Sequence, residues 1–474
     1  MLFPTIDFAI FFAVVYTVQW ILNPYPGPWK AFMIAASYYF YAWWDWRFIL
    51  LLAASTAIAQ VGGRLVNQAS GLRRRVTLWT TLALLVGLLA WFKYFGFVAV
   101  NLDNSLHYLG LGRPLPLLAI TLPVGISFFT FMAISYVVDI HRGVLKPARA
   151  IDTAVYLSFF PHLVAGPIVR GTELLPQIRR RRDGLHVDYV EACWLIVAGL
   201  AKKVVLSSYL STYVVNPVFA DPKQHSAPEV LFAIYGYAVQ IYADFSGYTD
   251  IAIGIALLMG FQFPQNFRRP YAAVSLQDFW RRWHITLSFW LRDYLYIPLG
   301  GNRGSELRIS LNIIVTMLLG GLWHGAAWTF VAWGLYHGIG QVIGRQRRRR
   351  RAALGLPPDP GGRGRVALAR FVTFQAVCLG WLFFRADTLG TVWAMLGRLV
   401  TGWGAASPLV TPLAVAAIGA GIGSQYLPDD WLVRVKAAFA DRRPVLQGGI
   451  LGLLLLAITT LGPQGVAPFI YYRF

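Results

Sequence analysis

Charge is what this chain has least of. Aspartate, glutamate, lysine and arginine make up 13% of its 474 residues, about half of the roughly 25% carried by a soluble domain. That leaves too little polar surface to cover a water-facing globule of this size. Cysteine is nearly missing: Cys193 and Cys378 stand far apart in apolar runs. This excludes a disulfide framework or a metal-ligand spacing, and both read as core residues. No GxxxxGK[ST] occurs, which excludes a P-loop NTPase. Without HExxH or CxxC no metal is indicated, and without GxSxG no hydrolase serine is indicated. The stretch Gly419 to Ser424 lacks the third-glycine spacing of a dinucleotide fingerprint and reads as helix packing within an apolar run. No repeat of fixed period is found, so the two halves of a repeat-built transporter are missing as well.

What is present is apolar. Hydrophobic residues account for 57% of the chain, with 18 Trp, 23 Tyr and 31 Phe, and the mean hydropathy is +0.54. Apolar runs near 3–23, 29–44, 46–62, 76–100, 116–139, 151–166, 187–213, 229–260, 308–342, 366–386, 408–427 and 446–462 predict about a dozen membrane segments, since about 20 residues span a bilayer. Abundant aromatics suit two interfaces. Run 151–166, with Pro161 and Gly166–Pro167, is expected to be re-entrant. Run 308–342 exceeds one crossing and is expected to break at Gly320–Gly321. The first run lacks a basic leader segment and a small-residue cleavage site, so it reads as a span rather than a signal peptide.

The net charge of +21 sits in a few loops: Arg64–Arg75, His141–Arg149, Arg170–Arg182, Arg268–Arg282 and Arg345–Arg370. Charge so distributed sets orientation in a membrane and does not point to nucleic acid. The N-terminus is expected outside, because Asp7 precedes the first cation, Lys30. Residues 345–365, arginine-rich and then rich in Pro and Gly, read as a flexible cytoplasmic loop.

Ionisable residues at membrane depth are costly, so each is a candidate for function. His324 lies in Gly-Gly-Leu-Trp323-His-Gly, where glycines permit close approach. A neutral imidazole there can take a proton from a hydroxyl and return it to a leaving group; alternatively it only bonds neighbouring helices. His284 closes Trp280-Arg281-Arg282-Trp283-His284, read as an amphipathic interfacial helix. It faces either an inner cavity or solvent. Asp244, Ser246 and Asp250 interrupt another run, with Gly247 as an expected break. They either lock helices or line a donor channel. The chain ends Phe469-Ile470-Tyr471-Tyr472-Arg473-Phe474. This tail, 468–474, is an aromatic belt with a snorkelling arginine, or it offers a tyrosine hydroxyl as transient acyl acceptor.

Taken together these stretches resemble the membrane-bound O-acyltransferase family, most closely its alginate O-acetylation branch. The resemblance is carried by LPVGISFFTF at 122–131, FFPHLVAGPI at 159–168, DFSGY at 244–248, NFRRPY at 266–271, DFWRRWH at 278–284 and LGGLWHG at 319–325. It runs in order from about residue 1 to 390 and resumes at the terminus. It implies an all-α polytopic fold, one membrane-embedded domain over 1–474: about eleven tilted transmembrane helices, with re-entrant and interfacial helices, around a central tunnel. It implies His324 as the catalytic histidine and His284 as the second functional one. Arg281, Arg282, Trp283, Trp323, Asp244 and Ser246 are then expected to bind donor or line the tunnel. Acetyl-CoA is the implied donor, with no permanently bound cofactor. The implied acceptor is an exported polysaccharide, reached through a periplasmic SGNH-type acetyltransferase, from a bacterial inner membrane. The terminal pattern is similar to that of a teichoic-acid alanylation system and implies a tyrosine relay. Tyr471 matches its position, and Tyr472 stands where phenylalanine is more usual. Direct transfer remains the alternative. So do peptidoglycan, teichoic acid or a protein as acceptor, and a transporter without chemistry.

Overall fold

The computed structural model describes residues 1–110, 121–357, 361–463 and 469–470. Among them every regular element is helical and there is no strand. Chain contacts divide the protein into two compact units, Met1–Tyr189 with Ile255–Pro264, and Val190–Gly254 with Gln265–Phe474.

The first unit is built on α1 (Ile6–Leu22), α2 (Pro26–Ala42), α3 (Phe48–Gln68), α4 (Gly71–Tyr108) and α5 (Ile126–His141), followed by α6 (Ala150–Ser158), α7 (Phe160–Leu163) and α8 (Gly171–Arg179). Thr5 starts α1 by accepting from the Phe8 amide at 3.3 Å, and prolines occupy the first turn of α2, where no amide bond is lost. Several of its buried polar groups satisfy one another. Thr153 Oγ1 donates to Gln60 Oε1 at 2.5 Å, and the Ala148 amide donates to the Tyr136 hydroxyl at 2.9 Å. Asp152 is held by Lys30 at 2.6 Å and by Arg179 at 3.2 Å. The run 151–166 is interrupted at Phe159, between α6 and the one-turn α7.

The second unit starts with α9 (Tyr189–Leu200), which loosens into a π-helix (Ala201–Ser207), then α10 (Ser208–Leu210), a second π-helix (Ser211–Val215) and α11 (Asn216–Ala220). There follow α12 (Ala227–Leu258), α13 (Leu276–Arg282), α14 (Ile285–Leu291), α15 (Glu306–His324), α16 (Trp328–Ala353), α17 (Arg363–Arg385), α18 (Leu389–Thr401), α19 (Pro412–Gly423), α20 (Asp429–Ala440) and α21 (Pro444–Leu461). Among the described residues, six helices can cross a bilayer by length and composition: α3, α4, α12, α15, α17 and α21. The apolar helices α1, α5 and α18 are shorter.

Three backbone features differ from expectation. Gly247 does not break α12, which is continuous through it. A Cβ on Gly247 would stand 2.7 Å from the Gly199 carbonyl oxygen, and one on Gly254 would stand 2.8 Å from that of Ala192. Small residues thus let α9 and α12 touch backbone to backbone, and the polar side chains around Gly247 find partners without any unwinding. Gly320 and Gly321 likewise lie inside α15, which turns only after His324. Gly321 is small because α16 packs on it; a Cβ there would meet the Phe330 carbonyl and the Gly334 backbone. Thirdly, the segment around His284 is two short helices and not one. Arg347 to Arg351 are the last turns of α16, so the connection to α17 spans residues 354–362.

Candidate active site

His324 is the last residue of α15. Ser305 begins that helix by accepting from the Arg308 amide at 3.4 Å, and Gly325 ends it in extended backbone. The turn into α16 requires glycine at 325, since a Cβ would collide with the Phe330 ring. The His324 imidazole is 3% exposed. Its ring centroid lies 4.9 Å from Trp323, 5.1 Å from Trp333 on α16 and 5.1 Å from Phe384 on α17. An imidazole stands here inside an aromatic cage.

His284 sits between α13 and α14 with φ +42°. A left-handed conformation costs a non-glycine residue about 1–2 kcal/mol, and such strain gathers at functional sites. The segment 266–268 holds it in place. The Ile285 amide donates to the Asn266 carbonyl at 2.9 Å and the Arg268 amide to the Arg282 carbonyl at 2.8 Å, one bond on each side of the histidine. The Asn266 side-chain oxygen accepts from the Thr286 amide at 3.2 Å and hydroxyl at 2.9 Å, and it lies 3.2 Å from His284 Nδ1. An oxygen already accepting from an amide makes Nδ1 the protonated nitrogen, which leaves Nε2 as the basic one. The ring is fully buried. It lies edge-on to Phe245 at 4.7 Å and 6.0 Å from Trp323. Trp323 therefore touches both His284 and His324.

The other expected residues divide. Trp283 is buried against Trp381 at 4.8 Å, and Trp381 stacks on Trp333 at 6.3 Å, so it belongs to the same aromatic body. Arg281 is exposed. Arg282 is paired with Asp278 at 2.8 Å. Asp244 and Ser246 turn to different neighbours. Asp244, buried, pairs with buried Lys203, accepts from Ser207 Oγ at 3.3 Å, and through Oδ2 accepts from the Ile470 amide at 2.9 Å. Ser246 accepts from Lys202 at 3.3 Å, and Lys202 also pairs with Asp250. The α9–α12 glycine contact sets the register that brings these lysines to these aspartates. Phe469, 1% exposed, packs on Tyr248 at 4.8 Å and on Phe245 at 5.8 Å. Tyr471 and Tyr472 lie outside the described residues.

Sequence reading missed three residues. Asn266 was inside a motif but carried no role. Lys203 lies in the middle of the apolar run 187–213, where the cost of a buried cation was a signal that went unused. His337 follows His324 by thirteen residues, in Tyr-His-Gly. It is fully buried, its ring lies 4.9 Å from Trp333, and its Nδ1 accepts from Trp280 Nε1 at 3.4 Å. Its position on the cage wall behind Trp333 was visible as a second histidine in one apolar run. No group of three or more metal-ligating side chains occurs among the described residues.

The family model for MBOAT, the membrane-bound O-acyltransferase family, matches residues 142–360, a range that holds both His284 and His324. The probable alginate O-acetylase AlgI of Pseudomonas aeruginosa is 41% identical over 366 residues, 77% of this chain and 68% of that one. This chain belongs to the membrane-bound O-acyltransferase family. The probable AlgI of Pseudomonas putida is 37% identical over 467 residues, 93% of this chain and 94% of that one. The peptidoglycan O-acetyltransferase of Helicobacter pylori is 34% identical over 405 residues, 78% and 73% of the two chains. As a membrane-bound O-acyltransferase the protein is an enzyme of acyl transfer held in a bilayer.

Proposed function

We propose that this enzyme takes acetyl from acetyl-CoA at the cytoplasmic face of a bacterial inner membrane and delivers it toward hydroxyls of an exported, alginate-like polysaccharide. The observation that carries the reading is the pair of buried imidazoles, His284 and His324, on one indole, Trp323. The names of the relatives favour acetyl as the group moved and a polysaccharide as acceptor, with peptidoglycan as the second choice. The remaining apolar runs would complete a bundle of about eleven tilted helices around a tunnel that leads to His324.

The chemistry needs one base in a water-poor place. The neutral imidazole of His324 takes the proton of the acceptor hydroxyl, whose oxygen attacks the thioester carbonyl. The C–S bond breaks, a C–O ester bond forms, and the imidazolium returns its proton to the departing thiolate. Because His324 ends α15, the carbonyl end of the helix stabilises the transient positive charge. His284 presents Nε2 as a second acid–base or orienting group. Exposed Arg281 and Arg268, with Arg282, would draw the phosphates of the donor.

In the relay form the first acceptor is the hydroxyl of Tyr471. Acetyl-tyrosine then hands its acyl group to a periplasmic SGNH-type acetyltransferase, which completes transfer to polymer. The docking of Phe469 and Ile470 beside Phe245, itself a ring neighbour of His284, supports this form. In the direct form the hydroxyl belongs to the sugar or the partner.

Inverted membrane vesicles given radiolabelled acetyl-CoA test the reading. Wild type should carry label into the lumen and onto polymer, and His324→Ala, present in the membrane at equal level, should not. Normal labelling in that variant removes the catalytic assignment. Tyr471→Phe should stop output while Tyr472→Phe leaves it; full output from Tyr471→Phe leaves only direct transfer.

A further inference from the structure

His337 lies fully buried on α16, one helical turn beyond Trp333. Trp333 is the indole that packs edge-on against the His324 ring at 5.1 Å. Leucine or phenylalanine would fill the place of His337 at no polar cost. The reason for an imidazole is Trp280 of α13. Its indole N–H is a donor with no acceptor capacity, and it is buried among helices whose carbonyls are already bonded. His337 supplies the acceptor, since Trp280 Nε1 donates to its Nδ1 at 3.4 Å. That bond fixes the tautomer: with Nδ1 accepting, the proton sits on Nε2. Nε2 is buried without a hydrogen bond among the described residues. It is directed at Gly380 of α17, where a Cβ would stand 2.7 Å from it. Glycine at 380 therefore leaves the ring room to stay on Trp280.

Trp333 is buried too, and its own Nε1 has no hydrogen-bond partner among the described residues. Its orientation is left to its ring neighbours. Two of them are the bonded pair itself: His337 at 4.9 Å and Trp280 at 5.6 Å, inclined to it by 61° and 72°. Phe279, beside Trp280 on α13, stacks on His337 at 6.4 Å and supports the pair. A hydrogen bond thus sets two rings, the two rings set Trp333, and Trp333 meets the imidazole of His324.

We propose that His337 is a positioning residue for acyl transfer: by accepting from Trp280 it locks the two rings that hold Trp333, and Trp333 fixes the direction of the His324 imidazole, a role that rests on His324 being the base. A base works only when its nitrogen points at the attacking hydroxyl, and a small misplacement costs rate far more than it costs binding. Close-packed rings transmit a displacement from one to the next. His337 meets no substrate in this role.

Wild type and variants are compared in inverted vesicles given radiolabelled acetyl-CoA, at equal amounts of membrane-inserted protein. His337→Leu removes the acceptor, and kcat should fall roughly tenfold while KM for acetyl-CoA changes less than about twofold. His337→Asn, whose amide oxygen can stand where Nδ1 does, should recover most of that loss. Trp280→Phe removes the donor and keeps a ring. It should fall by the same factor, and Trp280→Phe with His337→Leu should fall no further, because both changes cut one bond. Wild-type kcat in His337→Leu or in Trp280→Phe overturns the proposal. So does a double variant whose loss is the product of the two single losses, or a His337→Asn as slow as His337→Leu. His324→Ala run alongside keeps the two readings apart. Normal transfer there removes the base and the positioning role with it; loss there beside normal transfer in His337→Leu removes the positioning role alone.

Discussion

The amide of Ile470 donates to Oδ2 of Asp244 at 2.9 Å, while Oδ1 of the same carboxylate is held by Lys203 and Ser207. One buried aspartate thus joins the π-helical end of the α9 region, the middle of α12 and a residue almost at the C-terminus. The ion pair neutralises two charges that would be costly alone in the interior, and the spare carboxylate oxygen fastens the tail.

The arrangement makes the single and double variants of this pair differ in a defined way. Lys203→Met strands a buried carboxylate, which costs about 3–5 kcal/mol when a partner is removed. Lys203→Met with Asp244→Asn removes both charges and keeps an oxygen for the Ile470 amide. Thermal unfolding in detergent should show the double variant recovering most of the stability lost by the single one. A double variant no more stable than Lys203→Met would mean that Asp244 is not held chiefly by Lys203.

Asn266 offers a separate test of how His284 is oriented. Asn266→Ala removes the one oxygen shared by His284 Nδ1, the Thr286 amide and the Thr286 hydroxyl. Stranded buried donors cost about 1–3 kcal/mol each, so stability should fall. Transfer should fall roughly tenfold or more if His284 must present Nε2 in a fixed direction, with KM for acetyl-CoA little changed. If kcat holds and only stability drops, Asn266 is structural and His284 needs no orientation.

How much of this was legible beforehand follows from the kind of signal each residue leaves. A histidine amid twenty apolar residues announces itself, because burial of an ionisable group is costly anywhere. His324 was singled out that way, while Trp323 and Trp283 came in only through the family resemblance; the neighbourhood of all three is dense in rings. Glycines were read as breaks because glycine is permissive, yet Gly247 and Gly321 are there for close helix contact. Sequence spacing alone does not separate those two uses. The kink at His284 was missed for the opposite reason, since a left-handed histidine carries no mark in the sequence. Lys203 and Asn266 act through partners about forty and twenty residues away, and only the fold brings them there.

Gly247→Ala follows from the helix contact. Its new methyl must displace the Gly199 carbonyl from 2.7 Å, and overpacking of this kind costs about 1–3 kcal/mol. Because Lys202 and Lys203 lie three and four residues after Gly199, their pairs with Asp250 and Asp244 should loosen too. Gly448→Ala on α21, where nothing lies within 4 Å of a new Cβ, serves as the control and should unfold like wild type. Equal unfolding temperatures for Gly247→Ala and Gly448→Ala would refute backbone contact between α9 and α12.

With His324 as the base, the cage around it would limit what the enzyme can transfer. Phe384, 2% exposed, packs on the His324 ring at 5.1 Å, on Trp333 at 5.3 Å and on Phe330 at 5.0 Å. On the acetyl-transfer reading, the acyl group in transit must share this space with the imidazole. Each methylene beyond acetyl then meets a wall, and a site of fixed size discriminates by about 1–3 kcal/mol per methylene. Phe384→Leu opens the wall next to the base while staying apolar, which limits the loss of stability. Relative transfer from propionyl-CoA and butyryl-CoA should rise against acetyl-CoA, by about tenfold for the first added methylene. Competition between labelled donors in vesicles measures the ratio directly. An unchanged ratio in a well-folded variant would put the acyl chain on another side of His324 and move the search for its path to the face shared with Trp323.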